Sequence, residues 1–296
     1  MEALTLFFNY LRHERRLSPH TLKSYEVDLG QFSAYLRETY ELEDPAEATH
    51  HLIRSWLISL MQKNLDPRSV GRKVACLRTY YRFLLREGRL QVNPMQKVVA
   101  PKVAKKVPEF IPEEALARLL DGTAFEDTFA GWRDRAILEL LYGAGMRRAE
   151  LVGLRHQDLN LYQRTVRILG KGNKERIVPL PTGVMTNVET YIERKKQTGA
   201  DCAPTAPLLV TDKLDALYPE FVYRVVRRYL RLTTTAPAAH PHALRHSLAT
   251  HLLNRGADLN AIKEILGHAS LAATQVYTHA GIERLKSVFD KAHPKA

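Results

Sequence analysis

Residues 100–114, APKVAKKVPEFIPEE, carry Pro101, Pro108 and Pro112 together with three lysines and no helical spacing of apolar residues. Proline removes a backbone donor and pushes the residue before it out of the helical region, so this stretch is a linker. It predicts two domains, 1–95 and 111–296, joined by a basic connector over 96–110. On its N-terminal side the chain reads as helix after helix. Ser18-Pro19 and Asp66-Pro67 are N-cap and N1 pairs. From Pro67 to Glu87 the set Val70, Val74, Leu77, Tyr81, Leu84 and Leu85 keeps helical spacing, and Arg78, Arg82, Arg86 and Arg89 form a neighbouring stripe. Such a stripe suits phosphate contact or plain solvation equally.

On the C-terminal side, helices are expected from Pro112 to Leu120 and from Arg133 to Tyr142. Thr165–Leu169 and Glu175–Leu180 then flank the turn GKGNK and read as a β-hairpin with Lys171 and Lys174 at its tip. Helices resume over Thr182–Lys196, Pro219–Leu230, Pro241–Asn254 and Leu259–Leu266, then over Leu271–Phe289 with a break. Gly256 and Gly267 sit where helices end in a left-handed residue. The fold class is therefore mainly α, a helical bundle followed by a mostly helical domain with a small β-hairpin or sheet.

The 296 residues, 45% of them hydrophobic, suffice for two cores. Lys plus Arg is 44 against 32 Asp plus Glu, a net charge of +12 that favours a polyanionic partner. No apolar run approaches the roughly 20 residues of a membrane span, and the N-terminus lacks signal-peptide character, so a cytoplasmic protein is expected. Cys76 and Cys202 read as free thiols.

Neither a dinucleotide nor a P-loop glycine pattern occurs, and no cofactor is implied. His242 and His246 have a spacing that could share an ion, but no third ligand accompanies them, so no metal is expected. Glu150, like Asp134 and Asp158, reads as a helix-surface or salt-bridge group. What stands out is His242 and Arg245 in PHALRH, three apart and on one helix face. To them the chain adds Arg147 in GAGMRRAEL, Lys171 in GKGNK, His268 in LGH and Tyr277 in TQVYTH. Together these make a consistent set for attack on a phosphodiester. Arginines bond both non-bridging oxygens and stabilise the charge of the pentacovalent state. Histidines donate or accept protons, a tyrosine in a cationic pocket is a nucleophile, and a lysine protonates the leaving oxygen.

In that order, these strings closely resemble the tyrosine recombinase (phage integrase) family, and within it the Xer subgroup. The likeness covers nearly the whole chain, including YLRHERRLSPHTLKSYEVDLGQF at 10–32 and the ending SVFDKAHPKA. It implies a DNA-breaking-rejoining architecture, with a SAM-like core-binding bundle ahead of a catalytic domain. It implies that Arg147, Lys171, His242, Arg245 and His268 form the active-site set, with Tyr277 as nucleophile of a 3′-phosphotyrosyl intermediate. It further implies double-stranded DNA with a dif-like site, a XerD-like recombinase in a heterotetramer, an FtsK-type translocase, and a role in chromosome dimer resolution at cell division. A mobile-element integrase or XerD-like enzyme shares this chemistry. A non-catalytic DNA-binding protein on the same fold would not need the Tyr277 hydroxyl, and a type IB topoisomerase would relax supercoils without a partner site. Arg148 and Ala149 depart from the family's usual apolar residue and serine. The resemblance also implies that the C-terminal helix, about Ile282 to Ala292, docks on a neighbouring protomer, while its apolar face by itself fits packing on its own domain equally well.

Overall fold

Ser18 and Asp66 cap the two longest N-terminal helices as their side chains require: Ser18 Oγ accepts from Thr21 N and Asp66 Oδ1 accepts from Arg68 N at 2.8 Å. The computed structural model describes residues 2–102, 110–122, 125–170, 174–233, 239–267 and 279–295. Lys171, His268 and Tyr277 lie outside the described residues, as do residues 103–109 of the connector. The chain forms two compact units, residues 1–106 and 107–296.

In the first unit α1 (Glu2–Asn9) continues as a short π-helical turn, followed by α2 (Pro19–Tyr40), α3 (His50–Gln62) and α4 (Pro67–Arg86). Its core is Phe7, Phe32, Trp56, Tyr80 and Tyr81 with aliphatic neighbours. The buried face of α4 is wider than the spacing suggested: Cys76, Tyr80 and Phe83 are inside, whereas Leu85 is 39% exposed. The arginine stripe is partly engaged within the unit. Arg78 donates to Val98 O at 2.7 Å, and Arg86 pairs with Glu87 and lies 4.2 Å above the Tyr10 ring. Asp28 is buried with Lys73 at 2.7 Å, a charge pair inside the bundle.

The second unit is built around α6 (Phe129–Gly143), which is buried on nearly every side from Ala136 onwards. Before it comes α5 (Glu113–Asp121). After it come α7 (Arg148–Val152) and a three-stranded antiparallel sheet in the order β1 (Leu159–Asn160), β2 (Thr165–Leu169), β3 (Glu175–Pro179). The hairpin register pairs Val166 with Val178 and Leu169 with Glu175. Five helices complete it: α8 (Thr182–Gln197), α9 (Pro219–Thr233), α10 (Pro241–Asn254), α11 (Leu259–Leu266) and α12 (His279–Ala292). The sequence patterns named the hairpin and the long helices. They missed α7 and β1, whose few residues are too short to show a period.

In the single chain the C-terminal helix packs on its own domain, the alternative that its apolar face allowed. Leu285, Phe289 and Ala292 are buried in the core of their own domain. The His293 ring stacks on Phe289 at 4.9 Å, contacts Gly143 O through Nε2 at 3.1 Å and accepts from Lys295 N through Nδ1. Burial, with lesser repulsion from Arg255 and Lys295, pushes its pKa down to about 3 and keeps it neutral. The apolar face of α12 is satisfied by the nearest unpaired hydrophobic surface, which here is its own. Phe289→Ala is expected to cost about 3–5 kcal/mol. Thermal unfolding should register that as a fall of roughly 10 °C; an unchanged midpoint would mean that α12 adds nothing to this domain in isolation.

Candidate active site

Gly145 has φ +58°, and a Cβ there would meet Leu266 Cδ2 at 2.8 Å and Leu248 Cδ2 at 3.0 Å. Only glycine permits this turn and this approach of α10 and α11. The result is that Arg147, just beyond it, stands at the N-cap of α7 beside the end of α11. Glu150, three residues on, accepts from Arg147 N at 2.8 Å and from Arg147 Nη1 at 2.7 Å. The carboxylate thus completes half of a capping box while fixing the arginine fork.

Arg245 lies on the inward face of α10 and is 7% exposed. Its Nη1 donates to Gly145 O and its Nη2 to Leu266 O. Arg176, on the core-facing side of β3 and 4% exposed, donates from Nε to Ile265 O at 2.9 Å and from both Nη atoms to Glu150 at 3.0 and 2.7 Å. Arg147 Nη2 reaches Gly267 O at 3.4 Å. Three successive carbonyls at the end of α11 are therefore capped by three arginines, Ile265 by Arg176, Leu266 by Arg245 and Gly267 by Arg147. Helix-terminal carbonyls lack intrahelical donors and carry the negative end of the helix dipole, so this is where cations are held at least cost.

Three guanidiniums against the Glu150 carboxylate leave two surplus positive charges in one small region. Burial, then repulsion from Arg147 and Arg176, pushes the pKa of Arg245 down to about 10, with Glu150 opposing. It stays charged at neutral pH, and an arriving anion relieves the strain. Burial would raise the Glu150 pKa, but hydrogen bonds and charge from Arg176, then Arg147, outweigh it and hold it at about 2. His242, one turn before Arg245, has its pKa lowered first by partial burial and then by its neighbours His240, Arg245, Arg147 and Arg148. It is a neutral imidazole at neutral pH, able to accept a proton. The chemistry of this cluster is anion binding with a proton acceptor at its edge.

Of the six residues singled out in the sequence, Arg147, His242 and Arg245 are brought together, while Lys171, His268 and Tyr277 fall outside the described residues. A Cβ at Gly170, immediately before Lys171, would lie 3.6 Å from Glu150 Oε1, and Gly267, immediately before His268, belongs to the carbonyl row. Two members were not recognised. Glu150 was read as a salt-bridge group, which it is, but its partners are the site arginines. Arg176 went unnoticed; the signal was a charged residue sharing the inward face of β3 with Val178. Arg148, the departure from the family pattern, donates to Pro219 O at 3.4 Å, tying α7 to the start of α9. Among the described residues no group of three His, Cys, Asp or Glu side chains is placed to hold a metal ion, and no helix is long and apolar enough to cross a membrane.

A model of the phage integrase family matches residues 109–284, and one of the phage integrase N-terminal SAM-like domain matches residues 4–88. Tyrosine recombinase XerC of Pelobacter propionicus is 40% identical over 100% of this chain and 96% of its own length. That of Staphylococcus aureus strain NCTC 8325 is 39% identical over 98% and 96%. The XerH site-specific recombinase solved on a palindromic difH substrate shares the fold, with a TM-score of 0.72 at 22% identity over 92% of this chain and 80% of that one. The chain belongs to the phage integrase family, the tyrosine recombinases. It is an enzyme of site-specific DNA recombination, and within the family it is similar to XerC from end to end.

Proposed function

We propose that this protein cuts and rejoins double-stranded DNA at a dif-like site, paired with a XerD-like recombinase in a heterotetramer and driven by an FtsK-type translocase, so that chromosome dimers are resolved at cell division. The observation that carries the cleavage chemistry is the surplus cationic cluster of Arg147, Arg176 and Arg245 beside a neutral His242. Arg147 and Arg245 hold the non-bridging oxygens of the scissile phosphate and stabilise the charge that builds in the pentacovalent state. The Tyr277 oxygen attacks phosphorus, its proton passing to His242. A 3′-phosphotyrosyl bond forms, the bond to the 5′ oxygen breaks, and Lys171 protonates that oxygen, with His268 adding a further donor. Attack by a 5′-hydroxyl from the partner strand reverses each step and exchanges strands. The phosphodiester energy is kept in the protein–DNA bond, so strand transfer needs no nucleotide hydrolysis.

The test is a nicked suicide duplex carrying the host's dif-like site, with and without a XerD-like partner, run on a denaturing gel beside Tyr277→Phe. Wild type is expected to give a covalent band that the phenylalanine variant lacks. DNA binding with no covalent species under any partner condition would overturn the reading in favour of a DNA-binding protein. Cleavage of only a mobile-element junction would assign an integrase role instead.

With His242 as proton acceptor, the neutral ring is the active form. Its lowered pKa keeps it neutral to a lower pH than a free imidazole, whose value is about 6.5. The acid limb of the cleavage rate is therefore expected below that value and should vanish in His242→Gln. A limb at or above pH ~6.5, unchanged by that substitution, would remove His242 from this role.

A further inference from the structure

The Arg176 side chain makes its hydrogen bonds to groups that themselves hold the site. Its two Nη atoms grip both oxygens of Glu150, whose other bonds go to Arg147 N and Arg147 Nη1. Its Nε holds Ile265 O, the first of the three carbonyls whose successors receive Arg245 and Arg147. Its stem fills the space beside Gly267, where a Cβ would lie 3.1 Å from Arg176 Cδ; with φ +63° at that residue, glycine is required twice over. A Cβ at Gly170, the residue before the hairpin tip, would lie 3.8 Å from its Nη1. One side chain thus meets α7, the hairpin and the end of α11, each of which carries or adjoins a member of the expected cleavage set.

All three guanidinium nitrogens of Arg176 already hold protein acceptors, Ile265 O and the two oxygens of Glu150, so the side chain is placed to support the site and not to bind a phosphate. Stability does not explain it either. A buried arginine–carboxylate pair is on balance neutral or worse against an apolar pair of equal volume, because two ions must be stripped of water. What the pair supplies is geometry, since a planar fork fixes distance and angle on two partners at once where an apolar contact fixes neither.

We propose that Arg176 is a positioning residue of the cleavage centre, which through Glu150 and Ile265 O sets the orientation of Arg147 and the spacing between Arg147 and Arg245. The proposal rests on the recombinase reading for its kinetic consequence, though not for the geometry. Lysine in its place keeps the charge but, with a single ammonium, cannot span Glu150 and Ile265 O together. Outer-shell partners that orient metal ligands typically cost about 10–100-fold when replaced, and by analogy a loss of that size is expected here in the first-order rate of covalent complex formation at saturating protein. The concentration giving half-saturation of the DNA should move by no more than about two- to threefold.

The experiment compares wild type, Arg176→Lys and Arg176→Gln as full chains, each assayed below its own unfolding midpoint. Single-turnover cleavage of the suicide duplex is measured beside the side-chain nitrogen NMR signals of Arg147, assigned through Arg147→Lys. Support is a rate loss of that size in Arg176→Lys at unchanged DNA affinity, with the slow guanidinium rotation of Arg147 lost. Cleavage at the wild-type rate in the folded lysine variant overturns the proposal, and so does a rate loss that follows entirely from weaker DNA binding. If wild type itself forms no covalent complex, the recombinase reading fails and the NMR signals decide alone: an Arg147 as restrained in the lysine variant as in wild type overturns the positioning role, and a freed one supports it.

Discussion

Arg245→Ala is expected to lower single-turnover cleavage of the suicide duplex by about a thousandfold, the scale on which one preorganised donor to a developing oxyanion acts, while DNA retention at low salt falls only slightly. The guanidinium is buried and already pushed down to a pKa of about 10 by its surroundings and by Arg147 and Arg176, so its charge is held where an anion gains most from it. The same substitution frees Gly145 O and Leu266 O, at about 1–3 kcal/mol for each buried group left unpaired. The midpoint of thermal unfolding should fall too, and cleavage must be read below it. Arg245→Lys should recover stability more than rate, because an ammonium cannot reach both carbonyls and a phosphate as a fork does. Cleavage within tenfold of wild type in the folded alanine variant would show that Arg245 caps a helix and nothing more.

The second large effect concerns Glu150. Removing its charge in Glu150→Gln leaves Arg176 and Arg245 buried without a counter-ion beside Arg147, and breaking a buried pair in this way costs about 3–5 kcal/mol. The pH dependence follows from a folded-state value of about 2, below the ordinary one. Stability from the ionised carboxylate is complete above the unfolded-state value and is lost as pH falls through the folded one. The difference between wild type and Glu150→Gln in urea unfolding should therefore be full at neutral pH and shrink as pH falls from about 4.3 towards 2. Equal stability of the two proteins at pH 7 would contradict the charge balance described here.

Most of the fold was legible because its signals are local. Prolines mark the connector, capped helices carry apolar residues at helical spacing, and a hairpin alternates about a glycine turn. What resisted reading was short or chosen by contacts. Five residues of α7 show no period, and Leu85 keeps helical spacing yet faces water because the apolar arc of α4 is centred on Tyr80 and Tyr81 instead. The direction of the C-terminal helix depends on which apolar surface lies open to it, and that is a property of the folded domain.

The same division holds for the site. The residue types, their order and the domain that carries them could be read from the chain, because PHALRH, GAGMRRAEL and LGH are short strings with local geometry. Their convergence was decided by tertiary structure alone. Arg147, Arg176 and Arg245 come from three elements far apart in the chain, and they meet because the end of α11 offers three carbonyls without helical donors and a glycine on either side leaves room for the approach. No local pattern records which carbonyl a distant guanidinium will cap, since that depends on the packing of α10 and α11 against the turn at Gly145.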